Sequence, residues 1–368
     1  MPPVRPLLSR AASACSFALL AACSSLPTIA PDTAEAAGTD HVRIDGTHGP
    51  LSPDAQKRVL ARLQAAGQDT DIFERHLAYE QEIVGAPLIA GNKVTLLQDG
   101  PQTYQALYAA MAGARSSIDM ESYIIEDDEV GQRFAKELVA AHDRGVVVNL
   151  IYDSVGSSGT PRAYFDQLKA HGVNVLEFNP IDPLHARTGW DINNRDHRKL
   201  TVIDGRTAFV GGINISSVYS GGSFRESSKD RPGQSVPWRD TDVQIDGPAA
   251  ADFQRLFMDT WSRQKGKPLV PADYYPQIAR QGALLHAKTT LIDGVWTAVG
   301  STNLDWRSFL HNDEVDAIVL SAGFGDQMKA SFEQDLAQSE PLTLDQWEHR
   351  PLKQRVQEMA TGMWEYWL

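Results

Sequence analysis

From residue 93 onward, the chain alternates between short apolar stretches and longer amphipathic ones. The stretches KVTLLQ, SSIDMESYII, VVVNLIYD, VNVLEF, WRDTDVQIDG and NDEVDAIVL predict strands. The stretches QTYQALYAAMAGA, DEVGQRFAKELVAAHDRG, PRAYFDQLKAHG, PAAADFQRLFMDTWSRQ and GFGDQMKASFEQDLAQS predict helices. This alternation predicts an α/β fold, in which helices cover a sheet and loops at the strand ends carry the chemistry.

The N-terminal part of the chain has a different pattern. SPDAQKRVLARLQAA predicts a helix over residues 52–66, with Ser52 as its N-cap and Pro53 at its first helical position. A second helix is predicted over residues 71–83. Residues 46–90 are therefore expected to form an N-terminal helical segment.

The composition indicates an acidic, mostly globular chain of 368 residues with a formal net charge of -13. Proteins that bind nucleic acid through phosphate contacts need a basic face, so no nucleic-acid partner is expected. The chain has two cysteines, Cys15 and Cys23, both near the N-terminus. This usage excludes a disulfide framework and a cysteine-rich metal site.

The N-terminus has the pattern of an export signal. Arg5 and Arg10 precede an apolar run too short to span a bilayer, which predicts a signal peptide over residues 1–23. The run ends in Leu-Ala-Ala-Cys, which resembles a bacterial lipobox and implies lipidation of Cys23. Residues 24–45 predict a flexible tether. We expect a lipid-anchored envelope protein that faces the periplasm. The serine after the cysteine resembles the signal for release to the outer membrane. The alternative is an ordinary secretory signal.

Two segments carry the same residues at the same spacing. RDHRKLTVIDGRTAFVGGIN and LLHAKTTLIDGVWTAVGSTN align without a gap at an offset of 89 residues. The aligned residues are His197 and His286, Lys199 and Lys288, Asp204 and Asp293, and Asn214 and Asn303. A lone His-x-Lys means little, but two copies of the whole set predict an internal repeat that builds one site.

These residue types suit displacement at a phosphodiester without a metal ion. Side chains i and i+2 of a strand share a face, so the histidine and lysine of each set point into the same space. The ammonium lowers the pKa of the imidazole and offers a charge to a phosphate oxygen. One histidine can attack phosphorus to form a phosphohistidine while the other transfers protons, and the lysines and asparagines stabilise the phosphoryl oxygens. The aspartate before each glycine ties the turn or holds a lysine.

A nucleophilic histidine needs a carboxylate on its other ring nitrogen. Glu314 in NDEVDAIVL is the candidate partner of His286. Asp240 occupies the equivalent position in WRDTDVQI and is the candidate partner of His197. The alternative for both acids is an ordinary carboxylate at a strand end. Residues 217–237, rich in Gly, Ser and Pro, predict a mobile loop over the site; the alternative is a plain surface loop.

The paired His-x-Lys-x(4)-Asp motifs resemble those of the phospholipase D superfamily, and the chain more closely resembles bacterial cardiolipin synthases and related phosphatidyltransferases. The similar stretches are IDMESYIIEDDEVGQRFAKEL, NLIYDSVGS, NRDHRKL, GGIN, LLHAKTTLIDGVWTAVGSTNLDWRSFLHNDEV and the C-terminal YWL. The resemblance implies a pseudo-two-fold pair of lobes over residues 91–265 and 266–368, each a sheet flanked by helices.

The resemblance also implies an activity. A phosphatidyl group would pass between membrane phospholipids such as phosphatidylglycerol, with no metal and no other cofactor. His197 would be the nucleophile and His286 the acid and base. The catalytic residues implied are His197, Lys199, Asp204, His286, Lys288 and Asp293, supported by Asn214, Asn303, Asp240 and Glu314.

The second lobe is short by comparison with the first. In the first lobe, residues 94–196 are predicted to form strands and helices before the motif, whereas in the second lobe only residues 262–285 precede the motif. By comparison with usual domain size, roughly 70–100 residues are missing. Three explanations are open: a degraded copy, a sheet completed by homodimerisation, or a minimal lobe packed on the intact one. The competing functions are phosphatidyl transfer, hydrolysis of phospholipid, and a catalytically impaired envelope protein.

Overall fold

The computed structural model describes part of the chain. The described residues are 43–46, 49–66, 88–182, 193–221, 238–267, 269, 289–302 and 312–337. Residues 39–368 belong to one compact unit. Several predictions lie outside the described residues. They concern the signal peptide with Cys23, most of the tether, the helix over residues 71–83, the loop beyond residue 221, and the roles of His286, Lys288 and Asn303.

A small three-stranded sheet and one helix precede the main fold. The strands are β1 (Ile44–Gly46), β2 (Gly49–Pro50) and β3 (Leu88–Ile89), in the spatial order β2-β1-β3. The predicted helix is confirmed as α1 (Pro53–Ala66), where the Ser52 hydroxyl accepts a hydrogen bond from Ala55 N at 3.4 Å. β1 begins at Ile44, so residues 44 and 45, which the tether prediction included, lie in a strand.

The first lobe is built on a mixed seven-stranded sheet. In chain order its strands are β4 (Lys93–Leu97), β5 (Ser117–Ser122), β6 (Val147–Asp153), β7 (Asn174–Phe178), β9 (Lys199–Ile203), β10 (Thr207–Gly211) and β11 (Asp242–Asp246), with the short β8 (Arg195–Asp196) outside the sheet. Their spatial order is β4-β11-β10-β9-β5-β6-β7. Pairing is parallel from β5 to β7 and antiparallel across the rest. The strands predicted for this lobe are confirmed.

Helices cover both faces of this sheet. They are α2 (Gly100–Gly113), α3 (Glu129–Asp143), α4 (Arg162–Ala170) and α5 (Ala250–Arg263). Met111 of α2 and Phe134 of α3 are buried in one apolar cluster with Ile203 of β9. Phe257 of α5 is buried in a second cluster with Val202. Val202 and Ile203 are neighbours in β9, so the two clusters lie on opposite faces of the sheet. Within the described ranges, no helix has the length and apolar character needed to cross a membrane.

Aspartate caps fix where α2 and α3 begin. The Asp99 carboxylate accepts a hydrogen bond from Gln102 N at 3.1 Å. The Asp128 carboxylate accepts from Val130 N and Gly131 N, each at 2.9 Å. The caps satisfy N–H groups that have no partner inside the helix. Two residues therefore separate the end of β4 from α2, and six separate the end of β5 from α3; both strands end at the end of the sheet where β9 begins.

The predicted internal repeat is present. The elements of the second repeat are β12 (Thr289–Ile292), β13 (Trp296–Gly300), β14 (Asn312–Asp313), β15 (Asp316–Leu320) and α6 (Ala322–Ala337). β12, β13 and β15 pair antiparallel in that order, as β9, β10 and β11 do. α6 follows β15 as α5 follows β11. The repeated unit is thus three antiparallel strands and a helix.

Candidate active site

A short parallel pairing joins the two repeats beside the first motif. β14 pairs with β8, with Asn312 opposite Arg195 and Asp313 opposite Asp196. The main-chain N–H of His197 then donates to the Asp313 carbonyl oxygen at 2.9 Å. The residue that follows Asp313 is therefore held next to the first-motif histidine.

That residue is Glu314, and it is the acid partner of His197. Nδ1 of His197 lies 3.0 Å from Oε2 of Glu314 and 3.1 Å from the carbonyl oxygen of Ser301. The prediction that paired Glu314 with His286 and Asp240 with His197 is therefore wrong for His197. The physical reason is the β8–β14 pairing, which carries the acid of one repeat to the histidine of the other.

The surroundings of Glu314 keep it ionised and fix the His197 tautomer. Burial alone would raise the pKa of Glu314, but the hydrogen bond and charge of His197, with the charge of Lys199, bring it below its ordinary value. The Ser301 hydroxyl also donates to Glu314 Oε2 at 2.7 Å. Both groups facing Nδ1 of His197 are acceptors, so Nδ1 carries a proton, and in the neutral imidazole the lone pair is therefore on Nε2.

Asp240 lies beside the glycine pair of the first repeat. Its carboxylate accepts a hydrogen bond from Thr241 N at 2.9 Å. A Cβ built on Gly212 would lie 2.2 Å from that carboxylate, so the approach requires glycine there. Asp240 is thus at the site end of β11, as Glu314 is at the site end of β15.

Lys199 and an aromatic side chain that the sequence analysis missed flank His197. The Lys199 ammonium donates to the carbonyl oxygen of His197 and lies 5.2 Å from the centre of the Tyr123 ring. The rings of Tyr123 and His197 are 4.8 Å apart at 64°, an edge-to-face contact. Tyr123 follows Ser122, which pairs with Lys199 across β5 and β9. The pairing of these two strands was the signal that could have revealed Tyr123.

Asn214 is placed near this site, but its amide is already engaged. Its Oδ1 accepts from Ile124 N at 3.0 Å, and its Nδ2 donates to the Tyr219 hydroxyl at 3.0 Å. The side chain is buried. In this arrangement Asn214 ties the segment after β5 to the loop after β10, which is a positioning contact rather than the phosphate contact predicted for it.

Asp204 is not part of the catalytic group. It lies at the far end of β9 from Lys199, about 16 Å along a strand of five residues. Its carboxylate accepts hydrogen bonds from Arg115 N, Ser116 N and Ser117 N at 2.7–3.1 Å. The prediction of a catalytic Asp204 is therefore wrong, because the carboxylate anchors the turn after β9 to the start of β5. The repeat-related Asp293 has the same positive φ, 52° against 53°, at the end of β12.

A buried arginine also connects the two repeats. Arg198 donates to the main-chain carbonyl oxygen of Glu314 at 3.2 Å and to the Thr260 hydroxyl at 2.7 Å. Its guanidinium lies 3.4 Å from Asp313 and 3.6 Å from Glu121. Arg198 thus holds the segment that presents Glu314 to His197. This role is invisible in the sequence, where Arg198 is only the residue between the histidine and the lysine.

The arrangement supplies an imidazole held at Nδ1 by Glu314, with an ammonium beside it. Such a group can attack an electrophilic centre such as phosphorus. Within the ranges described above, there is no group of three or more His, Cys, Asp or Glu side chains that could hold a metal ion.

A family model described as "Cardiolipin synthase, PLD-like domain" matches residues 107–220 and 250–336, more than half of the chain. Cardiolipin synthase A of Pseudomonas entomophila is 26% identical over 357 aligned positions, which cover 70% of this chain and 71% of that protein. Cardiolipin synthase A of Pseudomonas fluorescens is 36% identical over 197 positions, covering 52% of this chain and 38% of that protein.

Solved structures give weaker matches. The phospholipase D family member Nuc from Salmonella typhimurium is 20% identical, with a TM-score of 0.34, over 48% of this chain and 97% of Nuc. Phosphatidylserine synthase from Haemophilus influenzae is 15% identical, with a TM-score of 0.35, over 56% of this chain and 48% of that one. On the match of the family model, the chain belongs to the cardiolipin synthase family with a phospholipase D-like domain.

Proposed function

We propose that this protein transfers a phosphatidyl group from one phospholipid to the headgroup alcohol of another, through a phosphohistidine at His197. The observation that carries this proposal is the contact between His197 and Glu314, which joins both repeats at one imidazole. A carboxylate on Nδ1 orients the ring and increases the basicity of Nε2. The similarity to proteins named cardiolipin synthase supports phospholipids as the substrate class.

The proposed first step is attack of Nε2 of His197 on the phosphorus of phosphatidylglycerol. A P–N bond forms, the P–O bond to the glycerol headgroup breaks, and His286 protonates the leaving oxygen. In the second step, the headgroup hydroxyl of another phosphatidylglycerol gives its proton to His286 and attacks phosphorus, and the P–N bond breaks. Two phosphatidylglycerol molecules yield one cardiolipin and one glycerol, without a metal ion.

Cations and a second carboxylate complete the proposed site. The Lys199 ammonium stabilises negative charge on the phosphoryl oxygens, and Lys288 and Asn303 do the same from the second repeat. By the crossed arrangement seen at His197, Asp240 of the first repeat is the proposed acid partner of His286. Lipidation at Cys23 would keep this site close to its membrane substrate. Fractionation of cells that carry a Cys23→Ser variant tests that attachment.

The function is tested with purified protein and phosphatidylglycerol vesicles in the presence and absence of EDTA. Formation of cardiolipin and glycerol in both conditions is expected, and His197→Ala should lower turnover at least about 1000-fold because the nucleophile is lost. His171→Ala is the matched control, because this exposed histidine lies at the end of α4. Turnover in His197→Ala at the level of His171→Ala would refute the mechanism.

The products also separate the rival functions. Phosphatidic acid in place of cardiolipin would identify a hydrolase, in which water takes the place of the second alcohol. No product from folded protein would identify an impaired copy. The mass of the protein by light scattering tests homodimerisation, one of the three explanations for the short second lobe, since a monomer mass would exclude it.

A further inference from the structure

We infer that Tyr123 is a positioning residue, whose aromatic ring sets the orientation of the His197 imidazole and the position of the Lys199 ammonium. The inference rests on the proposed function, because it assigns Tyr123 a part in the same reaction. It concerns the ring of Tyr123 and not its hydroxyl group.

The contacts of the ring fall within the ranges in which aromatic interactions are effective. Edge-to-face pairs have ring centres about 4.5–7 Å apart, and the rings of Tyr123 and His197 are 4.8 Å apart. Cation–π contacts occur within about 6 Å of the ring centre, and the Lys199 ammonium is 5.2 Å away. One ring therefore touches both chemical groups of the His-x-Lys motif.

The loop after β6 holds Tyr123 in place from behind. The Ser157 hydroxyl donates to the Tyr123 carbonyl oxygen at 3.1 Å and accepts from Ile125 N at 3.0 Å. A Cβ built on Gly156 would lie 2.2 Å from that carbonyl oxygen and 2.8 Å from the ring carbon Cδ2 of Tyr123. The sequence places this loop at the edge of the site, and the structure shows that Gly156 makes room there for Tyr123.

This support matters because the two contacts act on different parts of the His197 ring. The Glu314 hydrogen bond holds the Nδ1 atom. The Tyr123 ring packs against the imidazole itself and restricts tilting about that anchor, so that Nε2 keeps one direction of attack. A misplacement of about 1 Å in a reacting group can cost about 100-fold in rate.

The first test compares Tyr123→Phe with Tyr123→Leu on phosphatidylglycerol vesicles. Phenylalanine keeps the aromatic ring, so kcat should stay within about threefold of the unmodified protein, whereas leucine should lower kcat about 10- to 100-fold. KM should change little in both, because Tyr123 acts on His197 and not on the bound lipid. The pH dependence of kcat should shift only in Tyr123→Leu, since the ammonium loses its aromatic neighbour beside the imidazole.

The second test displaces Tyr123 indirectly, by a substitution at Gly156 in the loop that supports it. Gly156→Ala should lower kcat as Tyr123→Leu does, because the new Cβ displaces the main chain and ring of Tyr123. Gly159→Ala is the matched control in the same loop, since a Cβ there meets nothing within 4 Å. Thermal unfolding checks that the variants are folded. If Gly156→Ala does not fold, the Tyr123 pair decides the question alone.

Three outcomes would overturn the inference. Equal loss of kcat in Tyr123→Phe and Tyr123→Leu would assign the effect to the hydroxyl group, and full kcat in Tyr123→Leu would show that the ring is dispensable. A change confined to KM would place Tyr123 in lipid binding. Each of these leaves the proposed function intact as long as His197→Ala is inactive, whereas turnover in His197→Ala refutes the function itself.

Discussion

The two repeats share one set of elements but differ in what surrounds it. In the first repeat, β9 is paired on both sides, by β5 and β10, within a sheet of seven strands. In the second repeat, the described strands form a sheet of three, and β12 pairs with β13 alone in that part of the chain. The strands that carry the motif are therefore kept in both, while the outer strands of the first have no described counterpart in the second.

The apolar core shows how the second repeat is covered. Val202 and Val210 of the first repeat are buried in the same cluster as Val299, Val319 and Phe324 of the second. The second repeat thus buries its apolar face against the first, which lowers its need for a large sheet of its own. This packing favours the third of the three explanations, a minimal lobe packed on the intact one.

The polar contacts show what the second repeat contributes. Through the β8–β14 pairing the second repeat places Glu314 against His197, so residues of both repeats form the described part of the site. To present Glu314 to His197, the second repeat needs its motif strands and Glu314 itself more than it needs outer strands. The comparison therefore teaches that the two repeats depend on each other chemically as well as through packing.

Among the changes that test this comparison, altering the contact between the repeats should have the largest effect. Glu314→Gln should lower kcat about 100-fold, because the amide does not fix the Nδ1–H tautomer of His197 as a carboxylate does. Cardiolipin formation from phosphatidylglycerol vesicles measures the change. The unfolding temperature should remain close to that of the unmodified protein, because glutamine has the shape of glutamate.

Asp240→Asn is the repeat-related partner of this experiment. If each repeat supplies the acid partner for the histidine of the other repeat, Asp240→Asn should lower kcat by a similar factor. Full kcat in Asp240→Asn with a loss in Glu314→Gln would show that only one histidine depends on the other repeat. Full kcat in Glu314→Gln would contradict the role assigned to the contact between His197 and Glu314.

The next effect concerns stability and separates the two ends of β9. Asp204→Ala leaves the N–H groups of Arg115, Ser116 and Ser117 without their acceptor, which should lower the free energy of unfolding by about 1–3 kcal/mol. Chemical denaturation measures this loss, and kcat well below the melting range should not change. Asp293→Ala applies the same test, of stability against kcat, to the second repeat.

A loss of kcat in fully folded Asp204→Ala protein would restore this residue to the catalytic group. Asp204→Asn is the control, because its amide oxygen still accepts hydrogen bonds from the same main-chain N–H groups. It should recover part of the stability that Asp204→Ala loses.

The sequence predicted the elements and the motif, but it did not predict the connections between distant segments. Helix caps such as Asp128 and the glycine turns act locally, and the offset of 89 residues revealed the repeat directly. The partner of Glu314 depends on a two-residue pairing between segments more than 100 residues apart, which leaves no local pattern. Tyr123 and Arg198 were missed for the same reason, since their roles arise from neighbours across the sheet and between repeats.

The smallest effect tests the equivalence of the repeats at two buried carboxyl groups. Asp242 and Asp316 occupy equivalent positions opposite Gly211 and Gly300. Burial raises the pKa of each carboxyl to about 8 from an ordinary value of 3.8. The folded protein therefore binds more protons than the unfolded chain between about pH 4 and pH 8, and stability falls as pH rises through that window.

Denaturation at pH 6.5 and pH 7.5 measures this dependence. One pH unit should lower the free energy of unfolding by up to about 1.4 kcal/mol for each carboxyl. Asp242→Asn and Asp316→Asn should each reduce the decline by a similar amount, because an amide imitates the protonated acid and does not titrate. Part of the decline should remain in the double variant, since burial also raises the pKa of Asp119 and Glu121 to about 7. A reduction by one substitution but not by the other would show that the repeats differ in their cores. An unchanged decline in the double variant would mean that both carboxyl groups are ionised in the folded protein.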